Sequence, residues 1–218
     1  MLGLLGKKLG QTRVYDAAGN IVPVTVVQAG PNRVLQCKTA ETDGYRSVQL
    51  GFEEQKEHRV TKPLRGHFKK FGSPPMKRVR EFRDFPLEVK TGDIVGAAVF
   101  AQGDYVDAIG VTKGRGFEGV VKRHHFRGGD ITHGAKGWHR RAGAIGQRLF
   151  PGTVMRGTKM PGHLGSVRRT VQNLRVIQVR EAENILLVEG AIPGANGDYV
   201  VIREAKKRPK AKAAAAGK

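Results

Sequence analysis

Residues 171–192 read VQNLRVIQVREAENILLVEGAI, and the fold turns on how this stretch is read. In RVIQV (175–179) apolar and polar residues alternate but for the adjacent Val176 and Ile177, close to the period of a strand with one buried face. The polar break EAEN (181–184) interrupts the run, and NILLVEGAI (184–192) resumes it. Two Val/Ile-rich runs joined by so short a turn predict antiparallel neighbours connected as a hairpin. The same grammar recurs along the chain in NIVPVTVVQ (20–28), RVLQCKT (33–39), YRSVQLGFE (45–53), DIVGAAVF (93–100), DYVDAIGVT (104–112) and DYVVIRE (198–204). DAAGN, QAGPN, TDG, QGD and PGANGD supply the turns between them. Short strands at this spacing predict a mainly β protein, either a closed antiparallel barrel or a sandwich. Pro63 in TKPLRGHFKKF suits the first turn of a short helix, and FEGVVKRHHF (117–126) reads better as helix than as strand.

The strand pattern stops at 112 and resumes at 171, so the core is interrupted by roughly sixty residues. The middle of this gap, GAKGWHRRAGAIGQRLFPGTVMRGTKMPGHLG (134–165), has eight glycines, six Lys and Arg, no carboxylate and no apolar period. A structureless loop of that length counts against a compact domain unless it is functional or orders on binding. Residues 128–165, run out and back as two legs of about 19 residues, reach at most roughly 60 Å, so the expectation is an arm.

Charge singles out the same region. The 218 residues carry a formal net charge of +20, with 39 Lys and Arg against 19 Asp and Glu. Residues 112–180 hold 15 of those bases and only two of the acids, and 131–180 contain no carboxylate at all. A merely solvated surface mixes both signs, so this bias points to an external polyanion, with nucleic acid ahead of an anionic membrane. The lone Cys37 rules out an intramolecular disulfide and a thiolate zinc site, and fits a reducing compartment. No apolar run is long enough to span a bilayer, and MLGLLGKKLG lacks the form of a signal peptide, so a cytosolic protein is expected.

Several motifs in the gap suggest chemistry and fail on context. KGRGFEG (113–119) contains GxGxxG at Gly114, Gly116 and Gly119, but no acidic residue follows about 20 positions on, and the neighbouring strands read as hairpins. It reads better as a turn whose glycines let backbone amides approach phosphate. His124, His125, His133, His139 and His163 are clustered without an HxxxH pair or a thiolate, which argues against a metal and for contacts with nucleic acid. Ser166, Thr132, Thr153, Thr158 and Thr170 have no carboxylate to orient a histidine beside them, so no catalytic residue, cofactor or small-molecule substrate is expected. Trp138, set among Lys136, His139, Arg140 and Arg141, either stacks on a base or anchors the arm to the protein's own core. The tail AKKRPKAKAAAAGK (205–218) reads as disordered and basic.

Ordered blocks along nearly the whole chain, to about residue 204, are similar to a known family. They are GLLGKKLG (3–10), IVPVTVVQAGPNRV (21–34), DGYRSVQLGF (43–52), RVTKPLRGHF (59–68), TKGRGFEGVVKRHHF (112–126), the segment from AIGQRLFPGTV to KMPGHLG (144–165) and NILLVEGAIPG (184–194). The family they resemble is the bacterial-type large-subunit ribosomal protein three, the universal L-three family. The resemblance implies a translation-factor-like antiparallel β-barrel with a long, largely irregular basic extension and short helices. On that pattern the barrel comprises 1–111 and 171–204, with an insertion over 60–90, and the extension comprises 112–170. It implies direct binding to 23S rRNA, an early role in 50S assembly, and an extension that reaches toward the peptidyl transferase centre with 143–157 at its tip. Large-subunit proteins fourteen and nineteen are the implied protein neighbours.

Candidate RNA contacts are Lys113, Arg115, Lys122, Arg123, Arg127, Lys136, Trp138, His139, Arg140, Arg141, Arg148, Arg156, Lys159, Arg168 and Arg169. Two positions depart from the family pattern. Gln11 stands where many members have Met, and Leu149 stands where some carry a methylated glutamine, so that modification is not expected here. Charge and disorder alone would also suit a freestanding RNA chaperone or DNA-compacting protein.

Overall fold

The computed structural model describes residues 1–16 and 18–208, so most of the basic tail expected over 205–218 lies outside the described residues. The chain forms two units, one of residues 1–111 and those from 168 onward, the other of residues 112–167.

Alternation in the first unit produces two antiparallel sheets. Strands β1 (Gly3–Tyr15), β2 (Ile21–Gln28), β7 (Tyr105–Val111), β10 (Arg168–Arg180), β11 (Ile185–Glu189) and β12 (Tyr199–Glu204) close into a barrel in the order β1-β12-β7-β10-β11-β2. Closure removes free edges, which otherwise invite pairing with the strand of another chain. The barrel alternative is thus the correct one. RVLQCKT and YRSVQLGFE belong instead to a second sheet, ordered β5-β4-β3-β6, built from β3 (Asn32–Lys38), β4 (Ser47–Glu54), β5 (Met76–Arg83) and β6 (Ile94–Val95). After a short helix α1 (Ala40–Asp43), the expected helix appears as α2 (Lys62–Lys70), with proline in its first turn. Phe68 of α2 is buried against Leu35, Val60 and Met76 on one side of this sheet.

DIVGAAVF departs from expectation. Only Ile94 and Val95 pair with β3, and Ala97–Val99 form a 3-10 turn. The side chain of Asn184 packs against Gly96 and accepts the Ala97 N–H at 3.2 Å, which pulls the chain out of the sheet. Two strands of this unit carried no expectation. In β1 glycines dilute the signal, yet they are packing residues: a Cβ on Gly3 would meet the Phe82 ring, and one on Gly6 would meet the Gln28 carbonyl. β5 is hidden by its cations in KRVREFR.

The core is mostly apolar. Leu4, Val106, Val176, Leu186, Val188 and Ile202 are fully buried from five barrel strands, each contributing about 1.5–3 kcal/mol. Three buried polar side chains fix register. Asn32 bonds both the N–H and the carbonyl of Leu5 (3.1 and 3.0 Å), tying β3 to β1. Lys8 donates to the carbonyls of Ile192 and Gly194 at 2.8 and 3.1 Å. Asp107 ties β7 to β12 and β10 through Arg203 Nη2 (3.1 Å) and the Asn173 N–H (3.1 Å), the latter at a β-bulge where Asn173 takes a positive φ. The chain leaves the barrel after Val111 and re-enters at Arg168, and these two residues are direct register partners. The barrel itself therefore holds the two ends of the intervening segment together, which offsets the entropy of closing so long a loop.

Candidate nucleic-acid interface

Residues 112–167 begin and end as an antiparallel ribbon. Thr112 and Val167 exchange bonds through the Thr112 N–H (3.0 Å) and hydroxyl, Arg115 N–H donates to Leu164 O at 2.8 Å, and Leu164 N–H donates to Gly116 O at 3.0 Å. The two-residue strands β8 (Phe117–Glu118) and β9 (Gly162–His163) extend the ribbon. Gly165 is required here, since its φ is +75° and a Cβ would strike the Lys113 carbonyl. Helix α3 (Val120–His124) follows, so the helix expected over FEGVVKRHHF (117–126) is present only in its middle, Phe117 and Glu118 being strand. It is tied to the return leg by Arg123 Nη1 and His124 Nε2, which donate to the Met160 carbonyl at 2.6 and 3.1 Å. Val120 is the one fully buried side chain among residues 112–167.

Beyond α3 regular structure thins out. Gly129 N–H donates to His139 O (3.1 Å), and a kinked 3-10 segment spans His133–Trp138. From residue 140 to 157 no backbone N–H donates a hydrogen bond to any described residue. Apolar side chains there are not withdrawn from solvent: Leu149 and Phe150 are 92% and 90% exposed. An exposed amide is satisfied by water or by an external acceptor. A stretch rich in such amides and in cations is therefore set up to receive anionic oxygens.

The predicted contact residues divide by their engagements. Lys122 pairs with Glu118, Arg123 is committed to Met160, and Arg127 makes an exposed 3.8 Å pair with Asp130. Lys113, Arg115, Lys136, Arg140, Arg141, Arg148, Arg156 and Lys159 have no carboxylate partner among the described residues. Trp138 is 56% exposed and does not join the core, and Arg141 lies 5.0 Å from its ring centroid. Such a pair presents a flat, charged platform. His139 keeps a buried Nδ1 with no partner among the described residues. Arg168 and Arg169 stand on β10, in the barrel unit. What the sequence did not disclose is the run of unbonded amides; its one available signal was glycine richness without any period. Among the described residues no group of three or more His, Cys, Asp or Glu is placed to hold a metal ion, and no helix is long and apolar enough to cross a membrane.

Barrel and segment define a class: a β module carrying a carboxylate-poor cationic insertion in which the backbone donors of 140–157 lack acceptors among the described residues. Relatives agree with that class and narrow it. Residues 81–185 match the family model described as ribosomal protein L3. The chain is 50% identical over 212 residues to large ribosomal subunit protein uL3 of Deinococcus radiodurans, covering 97% of this chain and 99% of that protein. It is 47% identical over 212 residues to the uL3 of Akkermansia muciniphila, covering 95% and 99%. The chain belongs to the ribosomal protein L3 family.

Proposed function

We propose that the chain is a structural component of the large ribosomal subunit, working in the cytoplasm, that binds 23S rRNA directly and has no enzymatic role. Residues 1–111 and those from 168 onward serve as the anchoring barrel, and 112–167 as the extension that enters the RNA, three residues shorter than the 112–170 expected from sequence because Arg168, Arg169 and Thr170 pair with β7. The observation that carries the reading is the coincidence, over 140–157, of unbonded backbone amides with Arg140, Arg141, Arg148 and Arg156 and no carboxylate. RNA packed into a particle is dense in phosphate and leaves narrow crevices. Glycine gives small cross-section, free amides and guanidinium forks bind phosphate oxygens, and Trp138 and Phe150 are free to stack or wedge. Contacts of this kind read shape and backbone rather than base identity.

Early action in 50S assembly, support of RNA near the peptidyl transferase centre and contact with large-subunit proteins fourteen and nineteen follow from family resemblance and belong to the same proposal. If about ten phosphates are neutralised, log affinity for 23S rRNA falls with log salt at a slope of roughly −7 to −9. A slope near −2 overturns the reading. Stoichiometric retention on 50S particles through a high-salt sucrose gradient is expected, whereas loose nucleoid or polysome association would favour a freestanding chaperone.

A further inference from the structure

The barrel unit holds a cavity of about 300 Å³ where the barrel meets the second sheet. Lys7 and Gln28, register partners on β1 and β2, line it from the barrel, and residues of β3, β4, β5 and β6 line it from the sheet. Its volume lies at the small end of the range for sites that hold organic ligands.

Three consecutive residues of β4, Phe52, Glu53 and Glu54, reach this cavity, although a regular strand would divide them between its two faces. The irregularity is at Glu53, whose φ is +59°. A residue other than glycine stays in that region only when its surroundings hold it there. The Tyr199 hydroxyl donates to the Glu53 carboxylate, and Lys7 and Lys77 pair with it at 3.8 and 3.6 Å. The strain thus falls on the residue that lets both its neighbours serve one site.

The lining is of two kinds. Phe52 and Met76 are buried apolar walls, and the exposed Pro31 and Ile94 add apolar surface beside them. Among these stand the side chains of Gln28, Arg33 and Glu54, none with a hydrogen-bond or ion-pair partner among the described residues. An amide, a guanidinium and a carboxylate supply both donors and acceptors. A lone phosphate would meet the charges of Glu53 and Glu54, and a metal ion those of Lys7 and Arg33, so neither suits the mixture. A flat, neutral group with donors and acceptors along its edge does suit it, and a nucleobase is such a group. The net charge of +20 favours a base carried on a polyanion over an amide side chain of a partner protein.

We propose that this cavity receives one unstacked nucleobase of the RNA that the chain binds, with Glu54 accepting from the base edge and Arg33 donating to it. That the base comes from RNA rests on the ribosomal reading above; the affinity for a base rests on the cavity. Single-stranded loops and bulges supply such bases. Unlike the backbone contacts of 112–167, this one reads a base.

The test uses the full chain with carbon-13 in its methionine methyl groups, because one of the four methionines, Met76, lines the cavity. The probes are the four ribonucleoside 5′-monophosphates, ribose 5-phosphate at equal concentration, and 23S rRNA. At millimolar concentration at least one nucleotide should shift the Met76 methyl resonance saturably, through the ring current of its base, and ribose 5-phosphate should not. No such shift with any nucleotide overturns the cavity as a base site. Glu54 is exposed and unpaired, so Glu54→Ala should fold as the wild type does. Because it removes a negative charge, electrostatics alone predict equal or tighter binding of this variant to 23S rRNA. The proposal predicts about tenfold weaker binding with an unchanged salt slope, since a base contact is lost and no phosphate contact is. Equal or tighter binding, alongside a Met76 shift by nucleotide, overturns RNA as the source of the base. A wild-type slope near −2 defeats the ribosomal reading instead, and the nucleotide measurement still decides the cavity.

Discussion

The barrel unit and residues 112–167 are made by one chain under opposite rules. The barrel unit withdraws some thirty apolar side chains from water, and buried polar ones such as Asn32, Lys8 and Asp107 find partners within the fold. In residues 112–167 a single side chain, Val120, is fully buried, while Leu149, Phe150 and Ile131 stand almost wholly exposed. The cations do not divide this way, since most Lys and Arg of either region have no carboxylate partner among the described residues. What differs is the supply of acid: residues 131–167 contain no carboxylate at all. The first region is a fold completed by its own chain, and on the proposed reading the second is one half of an interface.

The comparison breaks most readily in the core. Leu50→Ala, at a fully buried position, should cost about 2–5 kcal/mol in urea denaturation, whereas Leu149→Ala should stay within about 0.5 kcal/mol. Comparable losses would mean that the extension packs like a core. Next comes Asp107→Ala, which leaves Arg203 without its counterion and removes an acceptor from the Asn173 bulge; about 3 kcal/mol is expected by the same measurement. On the other side of the comparison, Arg140→Gln, Arg141→Gln and Arg148→Gln combined should leave the urea midpoint unchanged and flatten the 23S rRNA salt slope by about 2. A shifted midpoint with an unchanged slope would reverse the assignment of these arginines.

The smallest effect concerns acid. The Tyr199 hydroxyl, helped by Lys7 and Lys77, holds Glu53 below its ordinary value of 4.5, and Lys38, helped by Tyr45, does the same for Glu81. A depressed folded-state value means that the stabilisation is complete above about pH 4.5 and fades as pH falls below it. Melting curves of Glu53→Gln and Glu81→Gln should therefore converge on the wild type as pH is lowered through the acid limb, and a gap that widens there would contradict the pairing.

How far the sequence could be read depended on where each interaction ends. RVIQV and NILLVEGAI were legible because their runs of Val, Ile and Leu answer to a core encoded in the same chain. β1 was not, since Gly3 and Gly6 are there for Phe82 and the Gln28 carbonyl, contacts that no local pattern announces. β5 was masked by Lys77, Arg78, Arg80 and Arg83, four cations in one strand. DIVGAAVF was over-read as a strand because the Asn184 side chain that stops it is ninety residues away in sequence. In the extension, the missing carboxylates marked the region plainly, but the division of its cations did not show: nothing near Arg123 foretells the Met160 carbonyl that claims it.

Hydrogen exchange measured residue by residue, on the free chain and on the chain bound to 23S rRNA, tests the division most directly. The account predicts that amides of β2, β7 and β11 are slow in both states, and that those of 140–157 are fast in the free chain and slow when RNA is bound. Slow exchange over 140–157 in the free chain, unchanged by RNA, would contradict it.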